Sequence, residues 1–249
     1  MVTPLVSIIL PSYNRFEGLL CSLESIYNQT FKDFEVLIIN DGSADKRYKQ
    51  FNYQLNTKVI HLKENSVLKK GYFSDSIRNF GIEEAKGKYI AFLDDDDYWF
   101  SNKLEKQIEK LETSEVKMVC SEAICNFGLY DSTLTGKLYN QEFVLNEISG
   151  IYKRTAMKKV FNKNKIYKFQ YPEIWTSKFI RIHNCIITSS VVVEKELLNK
   201  IGNFRDLQNK KFCADWDCWL GLLTHTNCHY ISEPLLYYNL DAGQNSLLI

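Results

Sequence analysis

The sequence predicts an α/β fold in which a mainly parallel central sheet is flanked by helices. Short aliphatic runs alternate with segments of helical periodicity through the first hundred residues of the 249-residue chain. Such alternation indicates βαβ units, in which right-handed crossovers join parallel strands in a Rossmann-like arrangement. The second half follows this pattern less closely, so we expect a more irregular C-terminal half. No linker rich in Pro or Gly divides the chain, which favours a single domain.

The predicted strands of the first half are four short runs of β-branched and aliphatic residues. They span Leu5–Leu10, Phe34–Asn40, Thr57–Leu62 and Lys88–Leu93. Runs of this length are typical of strands that are buried on both faces of a sheet. The first run follows no basic residue and ends in Pro-Ser-Tyr-Asn, which indicates a strand and not a signal peptide.

Helices are predicted between these strands, where apolar residues recur three or four positions apart. The segments are 16–27, 44–55, 73–86 and 102–114. Asn14 and Glu17 resemble a capping box before the first helix, and Gly87 has the position of a C-terminal cap after the third. The second half is predicted to contain strands at 116–124, 185–193 and 235–240 and helices at 194–200 and 215–224. The apolar residues of 131–180 recur with no clear helical or strand period, so no elements are predicted there.

Composition and charge narrow the function classes. The chain has 31 basic and 30 acidic residues and a net charge of +1. We therefore expect no nucleic-acid partner, because such a partner requires concentrated positive charge. No stretch approaches the roughly 20 apolar residues of a membrane-spanning helix, so we expect no transmembrane segment. The seven cysteines include no CxxC pair, and we interpret them as reduced thiols of a cytoplasmic protein.

Polar segments follow three of the predicted strands: Pro11–Arg15, Asp41–Ser43 and Asp94–Asp97. In an open parallel sheet the carboxyl ends of the strands share one edge, where ligands bind, so we expect these segments to meet at one crevice. Four adjacent carboxylates repel one another and require protons or a cation. Their hard oxygen atoms suit Mg²⁺ or Mn²⁺. The alternative is a solvated acidic turn before the helix that starts near Asn102.

Two further candidates lie on predicted helices. Arg78 is suited to hold a diphosphate through its forked donors if it faces the crevice, and otherwise it is a surface arginine. Asp215 and Asp217 open a later helix, where one carboxylate commonly caps the first turn. The other is then available as a general base, and the spacing leaves open which of the two it is.

Together these motifs resemble inverting family 2 glycosyltransferases with the GT-A fold, which use nucleoside-diphosphate sugars. The motifs of the first half are Val6–Arg15, Ile39–Ser43, Arg78-Asn79 and Gly87–Asp97. Those of the second half are Thr188–Val191, Ile201–Phe204, Ala214–Asp217 and Glu233–Tyr238. Because they occur in the family's order from about residue 5 to 240, their coincidence is far more specific than any single motif.

The resemblance implies a role for each matching residue of the nucleotide site. Pro11 and Tyr13 are expected to line the nucleoside pocket, and Asp41 to contact the base. Arg78 is expected near the base and the phosphates.

The acidic residues are also assigned by resemblance. Asp94 and Asp95 are expected toward the ribose, and Asp96 on the divalent metal. Because every position of the run is Asp, the register of this assignment is open by one residue. Asp215 matches the family's catalytic base, whereas Asp217 is expected to be structural.

The implied reaction transfers one sugar from the donor to a hydroxyl group of a glycan, lipid-linked or protein acceptor. UDP is the first choice of nucleotide on its frequency in the family. A bound Mn²⁺ or Mg²⁺ and Arg78 would neutralise the leaving group while Asp215 takes the acceptor proton, so the anomeric configuration inverts. Residues 1–115 would form the nucleotide-sugar-binding half of the single domain 1–249, and residues 116–249 the acceptor-binding half.

Single addition is implied because the chain lacks the QxxRW motif and the membrane helices of processive relatives. Two alternatives remain open. One is a nucleotidyltransferase on a similar fold, although Pro11–Arg15 has no glycine-rich loop. The other is a catalytically silent module that binds a sugar nucleotide or a protein partner.

Overall fold

The structure, a computed structural model, describes residues 3–66, 69, 75–133, 135–144, 171–207 and 214–241. Its first four strands are β1 (Val6–Ser12), β2 (Phe34–Asn40), β3 (Thr57–His61) and β4 (Tyr89–Phe92). β1 pairs in parallel with β2 and with β4, and β2 pairs in parallel with β3. The four strands therefore form the parallel sheet that their aliphatic runs predict.

Helices connect these strands. They are α1 (Phe16–Tyr27), α2 (Arg47–Gln50), α3 (Arg78–Glu84) after a 3₁₀ turn Asp75–Ile77, and α4 (Lys103–Thr113). The predicted stripe of α4 is confirmed, because Leu104, Ile108 and Leu111 are buried. The helix predicted at 44–55 is much shorter than expected, since the backbone at Phe51 is extended.

Two predicted helix-end signals are wrong. Asn14 has a φ of 51°, and its side-chain oxygen accepts a hydrogen bond from the backbone nitrogen of Ala44 at 3.1 Å instead of capping α1. Gly87 does not cap α3, because that helix ends at Ala85 in extended backbone. A Cβ atom on Gly87 would lie 2.6 Å from the backbone nitrogen of Ser7. Glycine is required there because the chain passes so close to β1.

The second half completes the same sheet. Its strands are β5 (Tyr98–Trp99), β6 (Met118–Asn126), β7 (Lys137–Leu138), β8 (Ile174–Trp175), β9 (Val192–Glu194) and β10 (Cys228–Asn239). The strand order is β3-β2-β1-β4-β9-β6-β10-β5, with β7 beside β6 and β8 beside β10. β9 runs antiparallel to both β4 and β6, whereas β10 is parallel to β6. Both halves of the chain thus contribute to one mainly parallel sheet.

The strand predicted at 185–193 is wrong over most of its length. Within the predicted range only Val192 and Val193 belong to a strand, β9, and Thr188–Ser190 form a 3₁₀ turn before it. The hydroxyl of Ser190 donates to the carbonyl of Ile187 at 2.7 Å, a local bond that favours the turn over a strand. β10 begins seven residues before the predicted 235, and its register with β6 shifts around Pro234.

The remaining elements are short helices. α5 spans Ser177–Ile180, α6 Lys195–Ile201 and α7 Ala214–Leu222, and a π-helical turn spans Tyr139–Val144. α6 and α7 agree with the predicted helices. Much of the 131–180 segment, from 145 to 170, lies outside the described residues, as does Cys213. The other six cysteines are free thiols, and no helix within the described ranges is long and apolar enough to cross a membrane.

Alternate residues of the strands pack on opposite faces of the sheet. Ile8 and Leu10 of β1 belong to one buried cluster, and Ile9 to the other. This alternation follows the two-residue period of a strand. The sheet therefore has an apolar layer on each face, which leaves its carboxyl edge for polar side chains.

Candidate active site

The carboxyl edge of β1, β2 and β4 brings the three polar segments into contact. The backbone nitrogen of Asp41 donates to the carbonyl of Ser12 at 3.0 Å, and the backbone nitrogen of Asn14 donates to Ser43 Oγ at 3.0 Å. Arg15 reaches the aspartate turn 94–97 from the first segment. The topology of a parallel sheet accounts for this meeting of residues up to 81 positions apart.

Asp41 is buried at the end of β2 and is held by the segment that follows β3. Its Oδ2 atom accepts hydrogen bonds from Asn65 Nδ2 at 2.9 Å and from Ser66 Oγ at 2.8 Å, while Oδ1 accepts from the backbone nitrogen of Ser66 at 2.8 Å. Pro11 and Tyr13 lie beside it at the end of β1, the first half-buried and the second exposed. The structure thus places the three predicted nucleoside residues at one end of the crevice.

Arg78 and Asp94 form an ion pair at the centre of the edge. The arginine side chain is 6% exposed and the aspartate 32%, so the guanidinium is buried while the carboxylate remains open to solvent. The guanidinium also lies over the ring of Phe204, 5.8 Å from its centroid. Arg78 is therefore fixed inside the crevice and is not a surface residue of an amphipathic helix.

Arg15 forms the second cationic contact of the aspartate turn. Its Nη1 atom lies 2.6 Å from Asp96 Oδ2 and 3.4 Å from Asp95 Oδ1. Burial raises the pKa of Asp95 to about 6. Burial, with the charges of Asp95 and Asp94, raises the pKa of Asp96 to about 7. Sequence reasoning missed Arg15, although its charge is opposite to that of the predicted acidic edge.

Asp97 points away from the other three carboxylates and into the protein. It is fully enclosed, accepting a hydrogen bond from Ser189 Oγ at 2.5 Å and another from the backbone nitrogen of Asn239 at 2.9 Å. Burial, with the charges of Asp96 and Asp94, raises its pKa well above the ordinary value. Asp97 therefore joins the aspartate turn to the second half of the chain, and three of the four carboxylates remain for the crevice.

The remaining carboxylates have the chemistry of a divalent-metal site. Oδ2 of Asp95 is buried and has no hydrogen-bond partner among the described residues. A cation beside it would satisfy this oxygen and reduce the repulsion that raises the pKa of Asp96. In the described ranges no group of three or more His, Cys, Asp or Glu side chains could hold a metal. The fit to Mg²⁺ or Mn²⁺ rests on the hard carboxylate oxygens and on the buried Oδ2 of Asp95, because such ions bind through one or two carboxylates together with substrate phosphates.

Asp215 stands in the first turn of α7, in the second half of the chain. Its Oδ1 accepts from the backbone nitrogen of Trp216 at 2.6 Å, and its Oδ2 from Asn184 Nδ2 at 3.3 Å. Asp217, two residues on, pairs with Arg205 through both carboxylate oxygens. Asp217 is thus paired with a neighbouring loop, whereas Asp215 bonds to Trp216 and Asn184.

Two tyrosines, Tyr139 and Tyr238, are influenced by the charges of Asp215 and of the aspartate turn. The rings of Tyr139 and Tyr238 meet edge to face, with centroids 5.4 Å apart. Burial raises the pKa of Tyr139, and the charge of Asp215 contributes. Burial also raises the pKa of Tyr238, with contributions from Tyr139 and then from Asp97 and the other aspartates. The charge of Asp215 therefore reaches one ring of this tyrosine pair, and the charges of the aspartate turn reach the other.

Comparison with known proteins decides the family. Residues 7–196 match the family model for glycosyl transferase family 2. The chain belongs to this family. An Escherichia coli relative named UDP-Glc:alpha-D-GlcNAc-diphosphoundecaprenol beta-1,3-glucosyltransferase WfgD is 29% identical over 98% of this chain and 79% of its own length. The chain spans only 15%, 66% and 43% of three other similar curated glycosyltransferases.

Solved structures show the fold of this family 2 member. TarS of S. aureus in complex with UDP-GlcNAc has a TM-score of 0.65 at 18% identity, covering 94% of this chain and 58% of TarS. The mannosyltransferase PcManGT of Pyrobaculum calidifontis, in complex with GDP-Man and Mn²⁺, has a TM-score of 0.61 at 17% identity. It covers 96% of this chain and 58% of PcManGT. The predicted GT-A fold and family are confirmed.

Proposed function

We propose that the protein transfers one sugar from a UDP-sugar to an acceptor hydroxyl, with a divalent metal and with inversion at the anomeric carbon. The observation that supports this most is the aspartate turn, which meets Arg78 and Arg15 at the carboxyl edge of a family 2 fold. Three carboxylates and two guanidinium groups at one point are suited to a diphosphate and its counter-ion. Family membership favours this reaction over the nucleotidyltransferase alternative.

The donor nucleoside is proposed to bind where Pro11, Tyr13 and Asp41 lie together. Asn65 and Ser66 hold the Asp41 carboxylate in one orientation, which suits a group that must accept from a base. A UDP-sugar appears in the names of both the E. coli relative and the TarS complex. UDP is therefore the nucleotide we propose.

Asp96, with Asp95, is proposed to hold Mn²⁺ or Mg²⁺. When bound, the metal would neutralise charge on the diphosphate leaving group. Arg78, buried against Asp94, would contribute its own positive charge to the same group without reorganising during the reaction. Arg15 must give up its contact with Asp96 for the metal to bind there.

Asp215 is proposed as the general base. Its carboxylate would accept the proton of the acceptor hydroxyl as that oxygen bonds to the anomeric carbon. The bond from that carbon to the diphosphate oxygen breaks from the opposite face, and UDP departs with the electron pair. Asn184 holds one carboxylate oxygen of Asp215 and so helps to orient it.

The acceptor is proposed to be a lipid-linked glycan, as in the name of the E. coli relative. We assign the donor to residues 1–115 and the acceptor to residues 116–249 of a single domain. Cytoplasmic location remains a prediction from the cysteine content. A glycan or protein acceptor is a second outcome that the same assay distinguishes.

The test is incubation with UDP-glucose, UDP-GlcNAc and UDP-galactose, each with MnCl₂ and a synthetic GlcNAc-diphospholipid. We expect UDP and a glycosylated lipid, and NMR of the product should show the anomeric configuration opposite to that of the donor. A chelator should abolish UDP release, and Mn²⁺ should restore it. Release of UMP would instead support nucleotidyl transfer, and UDP-sugar binding without turnover would support a silent module.

A further inference from the structure

Two adjacent serines, Ser189 and Ser190, are fully buried beneath the aspartate turn. They belong to the 3₁₀ turn Thr188–Ser190, which precedes β9 in the second half of the chain. β9 pairs with β4, the strand that leads into the aspartate turn. The two serines are therefore close to the site, yet the proposed reaction gives neither of them a role.

The hydroxyl of Ser189 bridges both ends of the aspartate turn. It accepts a hydrogen bond from the backbone nitrogen of Asp94 at 3.0 Å and donates to Asp97 Oδ2 at 2.5 Å. The carbonyl of the same serine accepts from Trp99 Nε1 at 2.8 Å. Ser189 is thus bonded to the residues at the beginning and end of the turn and to the strand just after it.

Ser190 has the same burial but a different partner. Its hydroxyl donates to the carbonyl of Ile187 at 2.7 Å within its own turn, and not to the aspartates. Its backbone carbonyl accepts from Gln107 Nε2 at 2.7 Å, which removing the side-chain hydroxyl leaves in place. Ser190 is therefore a matched control for Ser189, with equal size, equal burial and the adjacent position.

We propose that Ser189 is a positioning residue for the donor site. By bonding the backbone of Asp94 and the carboxylate of Asp97, it fixes the turn so that Asp94 meets Arg78 and Asp96 faces the crevice. The proposal rests on the proposed function, since it concerns the same carboxylates. It assigns to the acceptor half of the chain a residue that sets the geometry of donor binding.

Loss of this hydroxyl leaves two buried groups without their partner. In Ser189→Ala the amide of Asp94 loses its acceptor, and the carboxylate of Asp97 keeps only the bond from the backbone nitrogen of Asn239. Buried groups that lose a partner favour conformations in which they find another one. The turn then samples other conformations, and those that bind metal and diphosphate become a smaller fraction.

The experiment is calorimetric titration of UDP into wild type, Ser189→Ala and Ser190→Ala in saturating MnCl₂, with thermal unfolding of each protein. We expect Ser189→Ala to bind UDP about tenfold more weakly and Ser190→Ala to stay within about twofold of wild type. Hydrogen exchange should also be faster at the 94–97 backbone in Ser189→Ala only. Because UDP binding requires no acceptor and no turnover, the result does not depend on finding the acceptor.

Equal UDP affinity in the two variants, with unchanged exchange at 94–97, would overturn the proposal and leave the proposed function standing. Failure of the wild type to bind UDP would overturn both. If Ser189→Ala does not fold, Ser189→Cys is compared with Ser190→Cys, because a thiol keeps the volume but is a weak hydrogen-bonding group. In that pair, several-fold weaker UDP binding in Ser189→Cys alone is expected, and equal binding would overturn the proposal.

Discussion

Asp215→Asn is the change that tests the proposed chemistry most directly. The substitution keeps the shape of the side chain and removes its ability to accept a proton. The new amide oxygen can still accept from the backbone nitrogen of Trp216, which lies 2.6 Å from Oδ1. The new amide nitrogen would face Asn184 Nδ2 at 3.3 Å. Rotation of the Asn184 amide would restore that donor–acceptor pair but lose the 3.3 Å bond that Asn184 Oδ1 accepts from the backbone nitrogen of Ile186, so one long hydrogen bond is lost in either case. The fold therefore accommodates the variant.

The expected magnitudes follow from these contacts. Rearranging one long hydrogen bond should cost at most about 1 kcal/mol of stability. Removing a general base lowers turnover about 10²- to 10⁴-fold, which corresponds to about 3 to 5 kcal/mol of activation free energy. We expect the KM for the donor to change less than about twofold, because the Asp215 carboxylate bonds to Trp216 and Asn184, neither of which is a proposed nucleotide residue.

Asp217→Asn is the matched control, since it removes the same charge from the same helical turn. It breaks the pair with Arg205, whose side chain is 62% exposed, so the cost is at most about 1 kcal/mol. Turnover should stay within about threefold of wild type. Initial rates of UDP release with the lipid acceptor, and the melting temperatures of both variants, provide the measurement. Near-normal turnover in a folded Asp215→Asn protein would refute the assignment of the base.

Three further substitutions test charged side chains at or beside buried carboxylates. Arg15→Gln should bind Mn²⁺ several-fold more tightly than wild type, measured by electron spin resonance, because the guanidinium no longer competes with the metal for Asp96. The control Arg47→Gln, which breaks an ion pair with Asp45, should leave the Mn²⁺ affinity unchanged. An unchanged affinity in Arg15→Gln contradicts the prediction. The pKa of Asp96 is raised to about 7 in the folded protein, so the free energy of unfolding falls as the pH rises from the ordinary carboxyl pKa to that value. Without metal, urea unfolding should show Asp96→Asn gaining on the order of 4 kcal/mol of stability relative to wild type as the pH rises from 4 to 8. A stability difference that does not change with pH contradicts this. Glu122→Gln should lower the melting temperature by about 5 °C, because the Glu122 carboxylate accepts hydrogen bonds from the backbone nitrogens of Asn140 and Gln141 and from the Tyr230 hydroxyl. An unchanged melting temperature contradicts this prediction.

The sequence predicts well the elements whose identity depends on local pattern. β1 and β2 are buried aliphatic runs, and α4 has a clear apolar stripe. The two-residue strands β5, β7 and β8 could not be predicted, because pairing partners far along the chain define them. The wrong prediction of a cap at Asn14 has the same origin, because its side-chain oxygen accepts a hydrogen bond from the backbone nitrogen of Ala44 and not from the helix.

The same distinction between local pattern and long-range contacts applies to the candidate site. The meeting of three polar segments follows from parallel topology and is predictable. The orientation of each aspartate is not, because four identical residues in a row carry no local distinction. Contacts with residues distant in sequence decide it: Arg78 for Asp94, Arg15 for Asp96 and Ser189 for Asp97.

The strand order also has a consequence for synthesis of the chain. β4 ends at Phe92, but its neighbour β9 begins only at Val192, and β10 ends at Asn239. At about 5 to 20 residues per second, the ribosome needs roughly 5 to 20 seconds to make those intervening 100 residues. During that interval the nascent chain exposes an unpaired strand edge to other chains. Yield of folded protein should therefore depend on chaperones and on slow expression at low temperature.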